Sequence, residues 1–451
     1  MRPHHSRTRV RASLAMAGAI AALALTTAAM PLQADGINWS EPLVVATGEA
    51  HVGPWRMNDS DFRYVDDPSV ALGNDGTATV VWADQAAQDV FIQRFDREGN
   101  PRPGDPVNIS RSGDVFSWLP RVVVAGDDPE TIYVLWQEII FSGGSHGGEI
   151  LFARSGDGGR SFGEPVNLSR TDAGAGKGRL TAERWHNGSL DLAEGPDGTL
   201  WAAWTEYEGR LRVSRSTDGG ASFGEPEHVA GDDTLPARAP SIVVDADGRA
   251  HLAWTVGEDP AADIRYSTAG GSEERFREVV LVAETAGHAD APRLATGTGG
   301  VIHLVHAESP DGPWETAHLR YTRARGGGEF AAPVELTSGQ DAGVDSLGFP
   351  ALAVAGETVH VLWERFPTLG HRSRGLGMMQ STDAGAAFTD AATVPGSGAS
   401  SPGFNGSLQG LLMRKLDVND AGEIAIVNSN FRQGEESRIV LLRGRPAPAE
   451  D

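Results

Sequence analysis

Short apolar stretches alternate with glycine-rich turns along most of the chain, with a period of about fifty residues. Turns such as Gly73–Gly76 and Gly195–Gly198 separate two stretches of alternating apolar residues in each period. An Asp-Gly turn between such stretches is a strong signal for a β-hairpin. The second stretches end at corresponding positions, which are Trp82, Trp136, Trp204, Trp254, His306, Trp363 and Asn428.

Each period continues with two further short stretches, so that it contains four strands. Four short strands per period of about fifty residues are typical of a β-propeller, and the sequence therefore predicts an all-β fold of four-stranded blades. We count seven units, and six blades is the alternative if one unit is degenerate. The last unit, from about Leu411 to Arg443, lacks a fourth strand, whereas Asn38–Ala46 matches the fourth-strand segment Ser161–Ser169. We therefore expect the N-terminal strand to close the ring, which would remove the open edge.

The first thirty residues have the pattern of a secretory signal peptide. Four arginines precede the apolar stretch Ala12–Met30, which ends in small residues. We expect residues 1–30 to be a signal peptide of uncertain cleavage site, 36–446 to be a single propeller and 447–451 to be a short tail. An uncleaved anchor is the alternative for the first segment. The expected location is secreted or periplasmic, with no membrane span in the mature chain.

Charge and composition narrow the possible partners. The 38 basic and 61 acidic residues give a net charge of −23, which argues against nucleic acid as a ligand because nucleic-acid binders normally present a basic face. The chain has no cysteine, which excludes disulfides and thiolate chemistry. We expect a monomer without a cofactor.

Three stretches share the motif Ser-x-Asp-x-Gly-x-x-Phe. A calcium site would need several oxygen ligands, and one Asp per motif is too few. A short Asp side chain can instead fix a turn through backbone N–H groups, and Gly supplies a positive φ. We therefore interpret the motif as structural, with no metal. Its residues are Ser155, Asp157, Gly159, Phe162, Ser216, Asp218, Gly220, Phe223, Ser381, Asp383, Gly385 and Phe388.

This motif is the Asp-box (BNR repeat), and through it the chain resembles the sialidase/neuraminidase superfamily of bacterial enzymes. The resemblance implies three arginines that bind a substrate carboxylate, a Tyr nucleophile activated by Glu, and an Asp acid/base. The nearest match to the first arginine motif of that family is Phe62–Val65, with Arg63. Among the tyrosines, Tyr207 is the best placed, and it lies beside Glu206. The resulting catalytic candidates are Glu206, Tyr207 and Asp66 or Asp67.

Propeller geometry predicts which loops share a face. The starts of first strands and the ends of second strands lie on one face, and the hairpin turns and Asp-boxes on the other. The first group carries both arginines and carboxylates, a combination that suits an anionic sugar because Arg offers a bidentate fork. Aromatic residues in loops of this face suit sugar stacking. The ligand-binding candidates are Arg63, Arg121, Arg293, Glu138, Glu308 and Trp185.

The sequence thus predicts an exported, sialidase-like propeller that recognises a carbohydrate or another anionic ligand on its central face. Whether it catalyses a reaction is left open. One alternative is an exo-acting glycoside hydrolase of sialidase type. The other is a non-catalytic propeller for protein interaction or assembly, in which the charges of the central face pair with one another.

Overall fold

Seven antiparallel sheets follow one another along the chain as the blades of a β-propeller. A computed structural model describes residues 32–447, apart from 35, 127, 140–147, 172–173, 182–183, 188, 258–261, 271–274, 277, 284, 286, 314, 326–327, 338–343, 370–371, 399–403 and 406–413; the side chains of 32–34, 103, 178–181, 184–187, 283 and 404–405 lie outside this description as well. The signal-peptide prediction therefore lies outside the described residues.

Six blades are four-stranded sheets in which consecutive strands are neighbours. From the channel outwards their strands are Val65–Leu72, Ala78–Asp84, Asp89–Phe95 and Pro101–Asn108 in blade 1; Ser117–Val124, Ile132–Glu138, Glu149–Ser155 and Val166–Asn167 in blade 2; Leu190–Glu194, Leu200–Thr205, Leu211–Ser216 and Glu227–Ala230 in blade 3; Ala237–Val244, Ala250–Val256, Asp263–Ala269 and Val280–Ala283 in blade 4; His288–Thr296, Val301–Ser309, His318–Arg325 and Val334–Glu335 in blade 5; and Ser346–Ala355, Thr358–Phe366, Leu376–Ser381 and Ala392–Thr393 in blade 6.

The seventh blade joins the two ends of the chain. Its inner strands are Leu416–Val418, Ile424–Arg432 and Glu436–Pro446, and the N-terminal strand Leu43–Gly48 pairs with the last of these, with Leu43 opposite Leu441. Ile37–Trp39 extends the same edge. The predicted N-terminal closure is thus confirmed, and the six-blade alternative was wrong because each of the seven units forms a sheet of its own.

Few elements lie outside the blades. Leu32–Ala34 and Phe404–Asn405 are added to the seventh sheet, and two short hairpins pair His51–Val52 with Phe62–Arg63 and Lys177–Thr181 with Arg184–Asn187. Thr298–Gly300 forms a 3-10 turn. Within the described part of the chain, no helix is long and apolar enough to cross a membrane.

The core consists of apolar clusters packed between neighbouring blades. The aromatic residues that end the second strands are fully buried in it, as Trp204 and Trp254 show. One cluster joins Trp201 of blade 3 to Trp254 of blade 4, and another joins Val305 of blade 5 to Trp363 of blade 6. Since each blade buries its apolar side chains only against its neighbours, ring closure is needed to cover the first and last blades.

The turns formed by the Ser-x-Asp-x-Gly-x-x-Phe motif use their polar groups internally. Ser216 Oγ donates to Asp218 Oδ1 over 2.8 Å, and Asp218 also accepts from the N–H and Oγ of Ser222. These hydrogen bonds, above all the one from the Ser222 hydroxyl, lower the pKa of Asp218 to about 2. Phe223 packs edge-on against Phe152 of the preceding blade. The same Ser–Asp hydrogen bond recurs between Ser155 and Asp157 and between Ser381 and Asp383.

Five of the innermost strands contain a β-bulge at a proline, within their first few residues. The residue before each proline adopts a positive φ of 49 to 59°, a conformation that costs about 1–3 kcal/mol for a non-glycine residue. Because the bulge recurs in five blades, we interpret it as part of the scaffold that turns the chain into the channel. The residues concerned are Asp67, Leu119, Ala239, Ala291 and Phe349.

Candidate functional site

One register of the innermost strands forms a ring of side chains around the channel. Each member lies opposite the residue that precedes the Trp, His or Asn at the end of the second strand. Four of the seven members are charged, and they include the predicted residues Arg121 and Arg293. The ring consists of Ser69, Arg121, Asp191, Ser241, Arg293, Ala351 and Lys415.

An ion pair crosses the channel at this level. Arg414 precedes the innermost strand of blade 7, and its Nη2 donates to Asp191 Oδ1 of blade 3 over 3.0 Å. The same nitrogen lies 3.0 Å from the carbonyl oxygen of Leu192. Asp191 Oδ2 accepts from the backbone N–H of Ile242 in blade 4. Since blades 1 and 2 lie between blades 7 and 3, Arg414 links walls that are far apart in the ring.

Two more guanidinium groups lie in the electrostatic field of Asp191. Burial, together with repulsion from Arg293, lowers the pKa of Arg121 to about 9, whereas Asp191 raises it. Burial also lowers the pKa of Arg293, and attraction by Asp191 opposes this shift. Three arginines thus share a carboxylate whose two oxygens already accept hydrogen bonds.

Arg293 has hydrogen-bond donors that the described residues do not use. Its side chain is 8% exposed, and its Nε and Nη2 atoms are buried without a hydrogen-bond partner among the described residues. A buried polar group without a partner is costly, and a buried charged one more so. Arg121, in contrast, uses its Nη1 on the carbonyl oxygens of Leu119 and Pro120 within its own bulge. Arg293 is therefore a cavity-lining guanidinium that the described residues leave with unused donors.

A cavity of about 510 Å³ connects this cluster with the hairpin face. Its inner end is lined by Asp191, Arg293 and Arg414, and its outer end by turn residues that include Gly73 and Gly126. Between the two ends lies a collar of side chains, each two residues after a ring residue and so closer to the turns. This collar is mostly apolar. The lining residues of this collar are Ala71, Val123, Val243, Ala295, Ala353 and Asp417.

Asp417 is the one ionisable member of the collar. Its Oδ2 accepts from the N–H of Leu72, and its Oδ1 from the N–H of Val418. Burial raises the pKa of Asp417 to about 6, although these hydrogen bonds and the charge of Arg414 favour the ionised form. The cavity wall therefore carries a carboxyl group that changes protonation just below neutral pH.

A second buried ion pair involves the ring residue Lys415. Lys415 Nζ donates to Glu364 of blade 6, and both side chains are almost fully buried. Burial lowers the pKa of Lys415, while Asp66 and Asp67 raise it. Asp67 also attracts Arg121, so this catalytic candidate lies within the channel charge network. Asp66 points instead toward blade 7, where it accepts from Ser429 Oγ.

The other predicted site residues lie in separate surroundings. Arg63 is exposed on a surface hairpin and pairs with Glu49 and Asp61, so it does not join Arg121 and Arg293. Arg414, which lies just before the innermost strand of blade 7, takes the third place in the cluster. The mismatch arises because Arg63 belongs to a short hairpin, opposite His51, and pairs with carboxylates on the surface.

The predicted carboxylates of the second strands each have a local partner. Glu206 accepts from Arg212 Nε over 3.0 Å, and the backbone N–H of Tyr207 donates to Gly174. Glu138 accepts from Trp136 Nε1, and burial raises its pKa. Glu308 pairs with Arg320 over 3.3 Å, and the His306 imidazole, whose Nε2 lies 3.9 Å from Glu308 Oε2, helps to lower the pKa of Glu308. The side chain of Trp185 lies outside the described residues.

The cavity extends toward a different face from the one that the sequence favours. The starts of the first strands are expected to carry the site, and this stays a prediction, whereas the described cavity extends toward the hairpin turns. Asp191 and Asp417 were missed because alternation along a short strand does not tell channel positions from interblade positions. The tripeptides Leu119–Arg121 and Ala291–Arg293 contain a usable signal, since the residue after each bulge proline belongs to the ring.

Comparison with protein-family models and with curated proteins finds no match. Solved structures are similar in fold. A polysaccharide lyase, the ulvan lyase PL25 bound to -[GlcA(1-4)Rha3S]-, has a TM-score of 0.56 at 11% identity over 88% of this chain and 95% of its own. The polysaccharide lyase Uly1 has a TM-score of 0.54 at 11% identity over 91% and 100%. A protein of unknown function from Dyadobacter fermentans has a TM-score of 0.50 at 14% identity over 77% and 100%.

Proposed function

We propose that the protein is an exported glycan-binding propeller that holds an anionic sugar in its central cavity. The observation that carries the proposal is Arg293, which lines the cavity and whose Nε and Nη2 donors have no hydrogen-bond partner among the described residues. A carboxylate or sulfate group at the inner end of the cavity would accept from this guanidinium, because Arg binds such anions well.

The charge balance of the cluster supports an anion. Arg121, Arg293 and Arg414 bring three guanidinium groups to the channel, and Asp191 attracts all three. Asp67 also attracts Arg121, and Asp290 also attracts Arg293. A ligand anion would relieve the repulsion that Arg293 exerts on Arg121.

Further support comes from the nature of the ligand in a protein of similar fold. The ulvan lyase of similar fold is bound to a saccharide that contains glucuronic acid. The Asp-box resemblance points in the same direction, because sialidases act on a sugar that carries a carboxylate. A cavity of about 510 Å³ also falls within the range of small-ligand sites.

Calorimetry with matched sugars tests the proposal. We expect glucuronate-terminated and N-acetylneuraminate-terminated oligosaccharides to bind at pH 7 and the glucose-terminated analogue not to bind. Affinity should fall as salt is raised from 0.05 to 0.5 M, because salt screens charge pairs that remain partly solvated. Equal affinity for charged and neutral sugars, or no binding of any of them, would refute it.

Glycoside hydrolysis is the second candidate function, and Asp417 is the observation that favours it. A carboxyl group whose pKa is about 6 is partly protonated near neutral pH and can act as a general acid. If Asp417 has this role, release of fluorophore from glucuronide or sialoside substrates should increase as the pH falls from 7 to 5. Asp417→Asn should abolish that increase, whereas Asp75→Asn at the outer end of the cavity should retain it. A pH profile of activity that Asp417→Asn leaves unchanged would exclude the role.

A further inference from the structure

We infer that the anionic ligand enters the channel from the face that carries the Asp-box turns, passing the collar to reach Arg293. This inference rests on the proposed function and adds the route and the side chains along it. It differs from the face that the strand starts favour, where Trp55, Asn58 and the hairpin of His51–Val52 lie.

The lining of the cavity indicates the route. Its residues run without interruption from Arg293 through Ala295 to Thr296, which ends the innermost strand of blade 5. In blade 2 they run from Val122 to Gly126, where the chain turns toward the second strand. Gly126 is exposed, and a side chain added there would meet no atom within 4 Å. The outer end of the cavity therefore lies among hairpin turns.

The inner end is occupied by charged side chains. The Arg414–Asp191 pair crosses the channel, and the buried Lys415–Glu364 pair lies at the same level. Asp191, Arg414 and Lys415 line the end of the cavity that lies away from the turns. A ligand that follows the turn-side route would therefore insert one anionic group and keep the rest of the glycan outside.

The side chains of the collar determine which ligands can reach Arg293. Its alanine and valine side chains suit the apolar face of a sugar ring, which has C–H groups on one side. Asp417 interrupts the apolar wall and can accept a hydrogen bond from a sugar hydroxyl when it is ionised. This combination favours an anionic sugar over an inorganic anion, which would gain nothing from the apolar collar.

Single-cysteine labelling tests the route, and the absence of native cysteine makes the chain suitable for it. Gly126→Cys places a thiol at the outer end of the cavity, and Asp59→Cys places one on an exposed loop of the other face, next to Asn58. Each variant is labelled with a maleimide-linked polyethylene glycol and titrated with a glucuronate-terminated oligosaccharide. We expect labelled Gly126→Cys to lose at least about tenfold in affinity and labelled Asp59→Cys to bind like wild type.

The opposite pattern, or equal affinity of both labelled variants, would overturn the route. Failure of the proposed function has a different signature, since the unlabelled proteins would then not bind the sugar at all. Access can also be measured without a sugar, by modification of Arg293 with phenylglyoxal and peptide mass spectrometry. Labelling at residue 126 should slow this modification and labelling at residue 59 should not; equal rates would likewise overturn the route.

Discussion

Arg293→Gln is expected to weaken binding of a glucuronate-terminated oligosaccharide by ~30- to 1,000-fold, or about 2–4 kcal/mol. The substitution removes the guanidinium proposed to bind the sugar carboxylate and leaves a shorter, uncharged polar side chain. Affinity of the neutral analogue should not change. Calorimetry at pH 7 with both sugars measures the difference.

Arg63→Gln is the matched control, because Arg63 is exposed and already paired with Glu49 and Asp61. It should bind within about twofold of wild type, since exposed ion pairs contribute little. Arg293→Gln should also fold with undiminished stability, because it removes buried donors that have no described partner. An equal loss of affinity in both variants, or a loss in neither, would contradict the assignment of Arg293.

Lys415→Met is expected to lower the free energy of unfolding by about 3–5 kcal/mol, the second large effect. The substitution leaves the Glu364 carboxylate buried without its ammonium partner, which is the costly way to break a buried ion pair. Denaturant unfolding monitored by tryptophan fluorescence measures it. The Lys415→Met/Glu364→Leu double variant should recover most of the loss, because it removes both charges.

Arg432→Met serves as the control for the same measurement. Arg432 pairs with Glu435 on the surface, where both side chains are substantially exposed, and its loss should change stability by less than about 1 kcal/mol. A small effect of Lys415→Met, or no recovery in the double variant, would contradict a stabilising role of the Lys415–Glu364 pair between blades 6 and 7.

The blades were predictable because their signals are local. Asp-Gly turns, alternating strands and a buried Trp recur within each fifty-residue unit, and Asn38–Ala46 contains the fourth-strand pattern that the last unit lacks. These signals identify the partners of each strand without knowledge of the rest of the chain. The closure by Leu43–Gly48 followed from the same comparison of units.

The channel was only partly predictable because its contacts join distant units. Arg414 and Asp191 are 223 residues apart, and nothing near either residue indicates the other. Arg121 and Arg293 could be named because each lies near the start of an innermost strand, and the proline before each is a further signal. Arg63 has no such proline before it and lies on a surface hairpin. The face toward which the cavity extends depends on where the charge pairs lie along the channel. The repeat pattern does not contain that information.

The central claim is that Arg293 receives the anionic group of a sugar, and a crystal structure with a glucuronate-terminated oligosaccharide tests it most directly. The account predicts electron density for the carboxylate within hydrogen-bond distance of the Arg293 guanidinium, with the remaining sugars leading past Asp417 toward Gly126. Density for the sugar on the opposite face, at Trp55 or the hairpin of Phe62–Arg63, with no sugar at Arg293, would contradict it.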